Sequence, residues 1–302
     1  MGKFKEFRRG YQPWEHEGGG GGIMGTGGGV GGGDHTSSAL DHDFVSTMGG
    51  PGMGPSDPWE GFVDFLDETG FGAEEQDRAA ASAAAWLKGE GAKSVLEVGS
   101  GLGRTTAGLQ KAGLKVTAVE ASPALLAKTK ANAKSATVLE SDFLSLPSGP
   151  FDAVVSLRNA FSRLVVEGQA HAMLAAAHGS LKPKGALTLA FYNREALDEG
   201  SLNRSFPGPS TQFNEMRTIL YDQWQGHPDG GDRFVWAPLV MIGDHSIDWM
   251  RRSIPFKFWK LDDVKAALKD AKFEVVATLD AKDGKPASTK ASRRIEVRAR
   301  AK

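Results

Sequence analysis

The feature that most constrains the fold is the stretch Val95–Gly103, in which a short apolar segment runs into a turn with glycine at every second position. The apolar residues predict a buried strand, and Gly99, Gly101 and Gly103 predict a tight turn that opens a helix. Glycine leaves the backbone bare, and the first turn of a helix offers unpaired N–H groups to a ligand. The fingerprint for a dinucleotide would place its third glycine at Arg104. The pattern therefore predicts an α/β protein with a related nucleotide-binding loop.

Six further strands follow from apolar runs separated by helix or turn signals. Together with the first strand they predict a doubly wound, Rossmann-like sheet of seven strands, with an antiparallel strand at its end. Helices are predicted over Trp59–Leu66, Glu74–Leu87 and Lys260–Ala271. The six strands are Lys115–Glu120, Ala136–Glu140, Phe151–Leu157, Ala186–Asn193, Phe273–Leu279 and Arg294–Ala299.

The alternation of strands and helices is interrupted by an insertion at about residues 194–259. Two apolar, aromatic runs, 233–242 and 245–254, are separated by Gly243-Asp244, which predicts a β-hairpin. We expect this hairpin to cover the site as a substrate cap. The predicted division is a glycine-rich flexible segment over residues 1–56 and one α/β domain over residues 57–302.

Composition excludes several classes of function. The chain has no cysteine, which excludes disulfides, thiolate zinc sites and a cysteine nucleophile. A formal net charge of -1 provides no overall field for a polyanion and disfavours nucleic acid as a partner. No apolar run is long enough to span a membrane, and the expected compartment is the cytoplasm.

The motif E-x-G-x-G-x-G, from Glu97 to Gly103, resembles the first motif of the class I S-adenosylmethionine-dependent methyltransferases. The resemblance implies that S-adenosylmethionine is the cofactor and that Glu97 faces its ammonium group, directly or through water. Glu120 ends the neighbouring strand, where it is placed to accept both ribose hydroxyls. Asp142 and Phe143 would then contact the adenine. The residues expected to bind the cofactor are Glu97, Gly99, Ser100, Gly101, Gly103, Glu120, Ala121, Asp142, Phe143 and Arg158.

A second likeness concerns the substrate. The stretch Leu157–Leu164 resembles the L-G-N-S-F-x-H-L segment of glycine N-methyltransferases and their relatives, with Arg158 for Gly and Arg163 for His. Those enzymes carry a carboxylate-binding Arg where this chain has Tyr192. The likeness implies a small-molecule methyltransferase acting at nitrogen or oxygen, without a metal. The catalytic candidates are Asn159, Tyr192 and His245, and the substrate candidates are Asn159, Tyr192, Arg194 and Trp249.

Two other functions stay open at this stage. Tyr192-Asn193 resembles a Phe-Tyr-Asn sequence of a tRNA wobble-uridine carboxymethyl methyltransferase, and the basic stretch 282–302 is a candidate phosphate contact, which favours an RNA or protein methyltransferase. The other alternative is a non-catalytic cofactor-binding subunit. The sequence leaves the oligomeric state open, and the cluster Asp34, His35, Asp41, His42 and Asp43 is interpreted as solvated polar residues.

Overall fold

The computed structural model describes residues 57–208, 210–213, 215–243, 245–246 and 252–302, and the predictions for residues 1–56 and for Trp249 lie outside this part of the chain. The described strands are β1 Ser94–Val98, β2 Lys115–Glu120, β3 Thr137–Glu140, β4 Phe151–Ser156, β5 Leu181–Tyr192, β6 Ser205–Pro207, β7 Thr211–Phe213, β8 Met216–Gly226, β9 Arg233–Trp236, β10 Leu239–Ile242, β11 His245–Ser246, β12 Ile254–Lys257, β13 Phe273–Asp280 and β14 Arg294–Ala301. The α-helices are α1 Phe62–Thr69, α2 Ala73–Gly89, α3 Arg104–Lys111, α4 Pro123–Asn132, α5 Gln169–Ser180 and α6 Leu261–Asp270.

Seven strands form the main sheet in the order β13-β14-β5-β4-β1-β2-β3. The neighbours from β5 to β3 are parallel, whereas β14 is antiparallel to both β5 and β13. Parallel strands covered by helices on both faces carry continuous apolar runs, and β1 and β4 are buried almost throughout. The predicted doubly wound sheet with an antiparallel last strand is confirmed, and that strand, β14, lies between β13 and β5.

Helix ends follow the local sequence. The hydroxyl of Ser122 accepts a hydrogen bond from the backbone N–H of Leu125 at 3.1 Å, and Pro123 occupies the first position of α4. The amphipathic helix α6 buries Leu261, Val264 and Leu268 against the sheet. None of the helices in the described ranges is long and apolar enough to cross a membrane.

A second sheet is built around β8, a strand that the sequence analysis did not identify. The predicted hairpin is present, since β10 pairs with β11 across Gly243 and β9 pairs with β12. The run 233–242 also lies antiparallel along β8, with Trp236 opposite Trp224 and Leu239 opposite Tyr221. This run is divided into β9 and β10 at Ala237-Pro238, because Pro238 has no N–H to donate to a neighbouring strand.

The second sheet and helix α1 share one aromatic cluster. Phe62 contacts Trp236 with ring centroids 5.9 Å apart, and Phe65 contacts Phe213 at 5.5 Å. Tyr192, the last residue of β5, packs against Trp224 of β8 at 5.2 Å. These contacts join the second sheet to the end of the main sheet at which β5 stops.

Candidate functional site

A cavity of about 1000 Å³ lies where the carboxyl ends of β1, β2, β4 and β5 face the second sheet. In open α/β sheets this edge is where ligands bind. Its lining combines the glycine loop after β1, the segment after β4, parts of α1 and α2, and the inner face of the second sheet. Both halves of the fold therefore contribute to one site.

Two glycines of the loop after β1 have different roles. Gly99, Gly101 and Gly103 all have positive φ, between 58° and 78°. A Cβ at Gly103 would lie 2.7 Å from the Cα of Thr129, so this glycine permits packing of α4 on α3. A Cβ at Gly101 would meet no atom within 4 Å, and Gly101 lines the cavity together with Ser100. Gly101 thus presents bare backbone to a ligand.

Glu97 is buried next to the cavity but is not part of its lining. Its carboxylate accepts hydrogen bonds from the hydroxyls of Thr105 and Thr106, the latter at 2.6 Å, and the residue is 1% exposed. Burial raises the pKa of Glu97 to about 7. Glu97 does not line the cavity, so its carboxylate has no direct approach to a ligand there, and the expected contact through water stays a prediction. Thr105 lies between this carboxylate and the cavity.

Glu120 lines the cavity at the end of β2. Its Oε2 accepts from the N–H of Gly101 at 2.8 Å, and its Oε1 accepts from the N–H groups of Ala121 and Ser122 at 3.0 and 3.1 Å. Burial raises the pKa of Glu120 even though these three hydrogen bonds oppose the shift. Glu120 links the glycine loop to the second strand, and Ala121 contributes through its N–H without lining the cavity.

The loop after β3 places Phe143 in the cavity and Asp142 outside it. Phe143 packs on the glycine loop, since its ring would lie 3.0 Å from a Cβ at Gly99. The exposed Asp142 accepts hydrogen bonds from the N–H groups of Leu144 and Ser145 at 2.8 and 2.6 Å, which lowers its pKa. In this structure Asp142 shapes the turn that carries Phe143.

Asn159 and Tyr192 contact each other in the lining of the cavity. The Nδ2 group of Asn159 donates to the hydroxyl of Tyr192 at 2.8 Å. The Oδ1 atom of Asn159 is buried and accepts no hydrogen bond from any residue that the structure describes. Burial raises the pKa of Tyr192, which keeps its hydroxyl protonated. Tyr192 is therefore a hydrogen-bonding group rather than a base.

Arg158 follows β4 in a left-handed conformation, with φ of 57°. Its guanidinium donates to the carbonyl oxygen of Gly72 at 2.6 Å and lies 3.3 Å from the carboxylate of Glu75. Arg294 of β14 also pairs with Glu75, and all three charged side chains line the cavity. Two arginines thus share one glutamate at this wall of the cavity.

Other predicted residues lie elsewhere. Arg194 does not line the cavity, because its guanidinium is held by Glu199 and, at 2.9 Å, by Asp232. Gly103 is also outside the lining. The backbone of His245 belongs to β11, but its side chain and the whole of Trp249 fall outside the described part of the chain.

The sequence analysis missed Asp222, which lines the cavity from β8 and is 1% exposed. Its two carboxylate oxygens accept from the indole N–H groups of Trp224, at 3.1 Å, and Trp236, at 2.5 Å. Burial raises the pKa of Asp222 to about 7. The available signal was the alternation Leu220, Asp222, Trp224, which places a carboxylate at an apolar position of a strand.

Comparison with known proteins agrees with this geometry. Residues 95–185 match the family model of a methyltransferase domain. A glycine/sarcosine N-methyltransferase of Parasynechococcus marenigrum is 36% identical over 121 residues, which are 38% of this chain and 43% of that protein. The chain thus spans less than half the length of this curated relative.

Solved structures show the same fold at low identity. An S-adenosylmethionine-dependent methyltransferase of Clostridium acetobutylicum has a TM-score of 0.66 at 14% identity, over 80% of this chain and 98% of the other. An amino pentose methyltransferase of Micromonospora echinaspora, solved with S-adenosylmethionine bound, has a TM-score of 0.60 at 18% identity, over 74% and 90%.

Residues 95–185 are thus similar to a methyltransferase domain, and solved S-adenosylmethionine-dependent methyltransferases have the same fold. The cofactor of those enzymes fits the residues present. Gly101 leaves open space beside the loop, and Glu120 has a carboxylate at the cavity wall. A drug-sized ligand fills a pocket of roughly 300–1,000 Å³. The cavity, at about 1000 Å³, lies at the upper end of this range and so has room for the cofactor and a small second molecule.

Proposed function

We propose that this chain transfers a methyl group from S-adenosylmethionine to a nitrogen or oxygen atom of a small molecule. The observation that carries the proposal is that the glycine loop and Glu120 line the same cavity as Asn159 and the aromatic side of the second sheet. The described second sheet and the rest of the segment 194–259 then act as the substrate cap. The curated relative, named a glycine/sarcosine N-methyltransferase, supports a small acceptor.

The bound cofactor supplies an electrophilic methyl group on a sulfonium, so the residues of the chain mainly position the reactants and exclude water. The N–H groups of the glycine loop and the Glu120 carboxylate hold the cofactor. The Oδ1 of Asn159 accepts a hydrogen bond from the methyl-accepting substrate, because a buried oxygen that is left without a hydrogen-bond donor costs about 1–3 kcal/mol. An N–H or O–H donor on the substrate satisfies it.

The test begins with cofactor binding. Titration calorimetry with S-adenosylhomocysteine measures the affinity of the wild type and of Glu120→Gln. We expect the variant to lose about tenfold or more in affinity, since hydrogen bonds to a charged group contribute about 1.5–3 kcal/mol. The matched control is Glu140→Gln, because Glu140 lies opposite Glu120 in β3 but is exposed and outside the cavity.

The second part of the test identifies the acceptor class. The protein is incubated with methyl-labelled S-adenosylmethionine and separate panels of small amines, small alcohols, tRNA and peptides. The proposal predicts label in a small molecule, and label in RNA or protein contradicts it. Binding of S-adenosylhomocysteine with no label in any panel would instead favour a non-catalytic cofactor-binding subunit.

A further inference from the structure

A buried carboxyl group at the aromatic side of the cavity has no role in the account above. Asp222 lies on the inward face of β8, between Leu220 and Trp224. Among the residues that the structure describes, no Lys, Arg or His side chain forms an ion pair with it. A buried carboxylate without a cation is costly, which is why charged side chains at such positions are usually paired.

The neighbours of Asp222 stabilise its charge only in part. The indole N–H groups of Trp224 and Trp236 each donate one hydrogen bond to a different oxygen of the carboxylate. Both donors are neutral, and an ionised carboxylate has about four lone-pair sites, of which two are then filled. The remaining sites accept no hydrogen bond from a residue that the structure describes, and none of those residues forms an ion pair with Asp222, so a ligand in the cavity that it lines can fill them.

The surroundings of this carboxylate are aromatic. Four of the aromatic rings that line the same cavity belong to β5 and the second sheet, and the ring centroids of Tyr192 and Trp224 lie 5.2 Å apart while those of Trp224 and Phe256 lie 5.4 Å apart. Aromatic faces attract cations through their quadrupole, and most strongly where water is excluded. A carboxylate that lies between two tryptophans thus provides two features that stabilise a bound organic cation, a negative charge and aromatic faces. The four rings are Tyr192, Trp224, Trp236 and Phe256.

We propose that Asp222 binds the acceptor molecule as an ammonium ion, which makes the substrate an amine and the methylated atom nitrogen. The inference rests on the proposed function and deepens it. The ammonium group replaces the missing cation beside Asp222 and donates hydrogen bonds to the open sites of the carboxylate. An alcohol of the same shape donates one hydrogen bond but brings no charge.

Methylation at nitrogen requires a free lone pair on that atom, and the contact with Asp222 provides it by removing a proton from the ammonium. One N–H proton passes from the ammonium to a carboxylate oxygen of Asp222, which leaves a neutral amine beside a neutral carboxylic acid. The nitrogen lone pair then forms the N–C bond as the S–C bond breaks, the sulfur keeping that electron pair as a thioether. The nitrogen becomes a methylammonium, so charge is balanced in both steps. A carboxyl group with a pKa of about 7 is suited to this exchange.

Other charged groups face the same cavity and bear on its pH dependence. The pH dependence of ligand binding therefore contains contributions from these groups as well, and the contribution of Asp222 is measured by substituting Asp222. They are Glu74, Glu75 and Arg78 of α2, Glu68 of α1, Glu120 of β2, Arg158 and Arg163 after β4, Arg294 of β14, Arg217 of β8 and Glu215 before it.

The test uses binding rather than turnover. In protein saturated with S-adenosylhomocysteine, calorimetry compares cyclohexylamine with cyclohexanol, which have the same ring and differ in the polar group. We expect the amine to bind at least about tenfold more tightly than the alcohol. In Asp222→Asn the ratio of the two affinities should fall to about one. In the control Asp77→Asn, on the exposed face of α2, it should stay at the wild-type value.

The ratio separates recognition from a structural role. If Asp222 only holds the two indoles in place, Asp222→Asn weakens both probes equally and the ratio is unchanged, which overturns the proposal. Equal binding of both probes by the wild type, or no binding of either at millimolar concentration, overturns it too. If S-adenosylhomocysteine itself does not bind, the proposed function fails, and the amine-to-alcohol ratio in the unloaded protein still decides the role of Asp222.

Discussion

Substitution of Gly101 by alanine separates the role of the glycine loop in folding from its role in binding. Gly101 has φ of 58°, and an L-residue in this left-handed region costs about 1–2 kcal/mol. The added methyl group meets no protein atom within 4 Å, so strain is the only stability cost that the structure predicts. We expect Gly101→Ala to lower the free energy of unfolding by this amount in urea denaturation.

The same methyl group stands where a ligand would contact the backbone. We expect the affinity for S-adenosylhomocysteine to fall by about tenfold or more in calorimetry, equivalent to about 1.4 kcal/mol. The control is Gly113→Ala, because Gly113 also has positive φ and open space but is remote from the cavity. Gly113→Ala should lose a similar amount of unfolding free energy and no affinity for S-adenosylhomocysteine. Wild-type affinity in Gly101→Ala would refute the assignment of this loop to the cofactor.

Three further substitutions test other parts of the account. Folded Glu97 keeps its proton up to a pKa of about 7, whereas in the unfolded chain it ionises near 4.5, so wild-type stability falls as the pH rises between these values. Glu97→Gln should reduce the dependence of the unfolding free energy on pH, measured in denaturation curves, and an unchanged dependence would show that Glu97 does not cause it. Phe143→Ala should weaken S-adenosylhomocysteine binding by about three- to tenfold through loss of an aromatic contact, with undiminished binding the opposing result. Asn193→Ala removes buried hydrogen bonds from Nδ2 to the carbonyl oxygens of residues 289 and 292, at 2.7 and 2.8 Å, and should cost about 2–3 kcal/mol of unfolding free energy; a loss below about 0.5 kcal/mol would show that water replaces them.

The main sheet was predictable because its signals are local. Each strand is an apolar run bounded by glycine, proline or a helix start, and the bounds observed for β2 and α6 lie within one residue of the predicted ones. The antiparallel position of β14 follows from the fold class that the glycine motif implies. Strand β8 was missed because it mixes polar and apolar residues, and its partners lie in the insertion that the glycine motif does not cover.

The site was predictable for residues that the resemblance to methyltransferases assigned to the cofactor and that lie directly after a strand of the main sheet. Gly101, Glu120 and Phe143 line the cavity as expected, whereas Glu97 does not. The hydroxyls of two threonines in the first turn of α3 donate hydrogen bonds to Glu97, and their effect depends on the direction of that helix. The guanidinium of Arg194 is bound outside the cavity by carboxylates, one of which is 38 positions further along the chain, and no local sequence pattern predicts that contact.

The central claim is that one cavity holds the cofactor at the glycine loop and a small acceptor beneath the second sheet. A crystal structure of the protein with S-adenosylhomocysteine tests it most directly. The account predicts the ribose hydroxyls on the carboxylate of Glu120, the adenine beside Phe143 and the sulfur directed toward Asn159 and Asp222. A ligand bound away from Gly101, or a sulfur directed away from the aromatic side of the cavity, would contradict it.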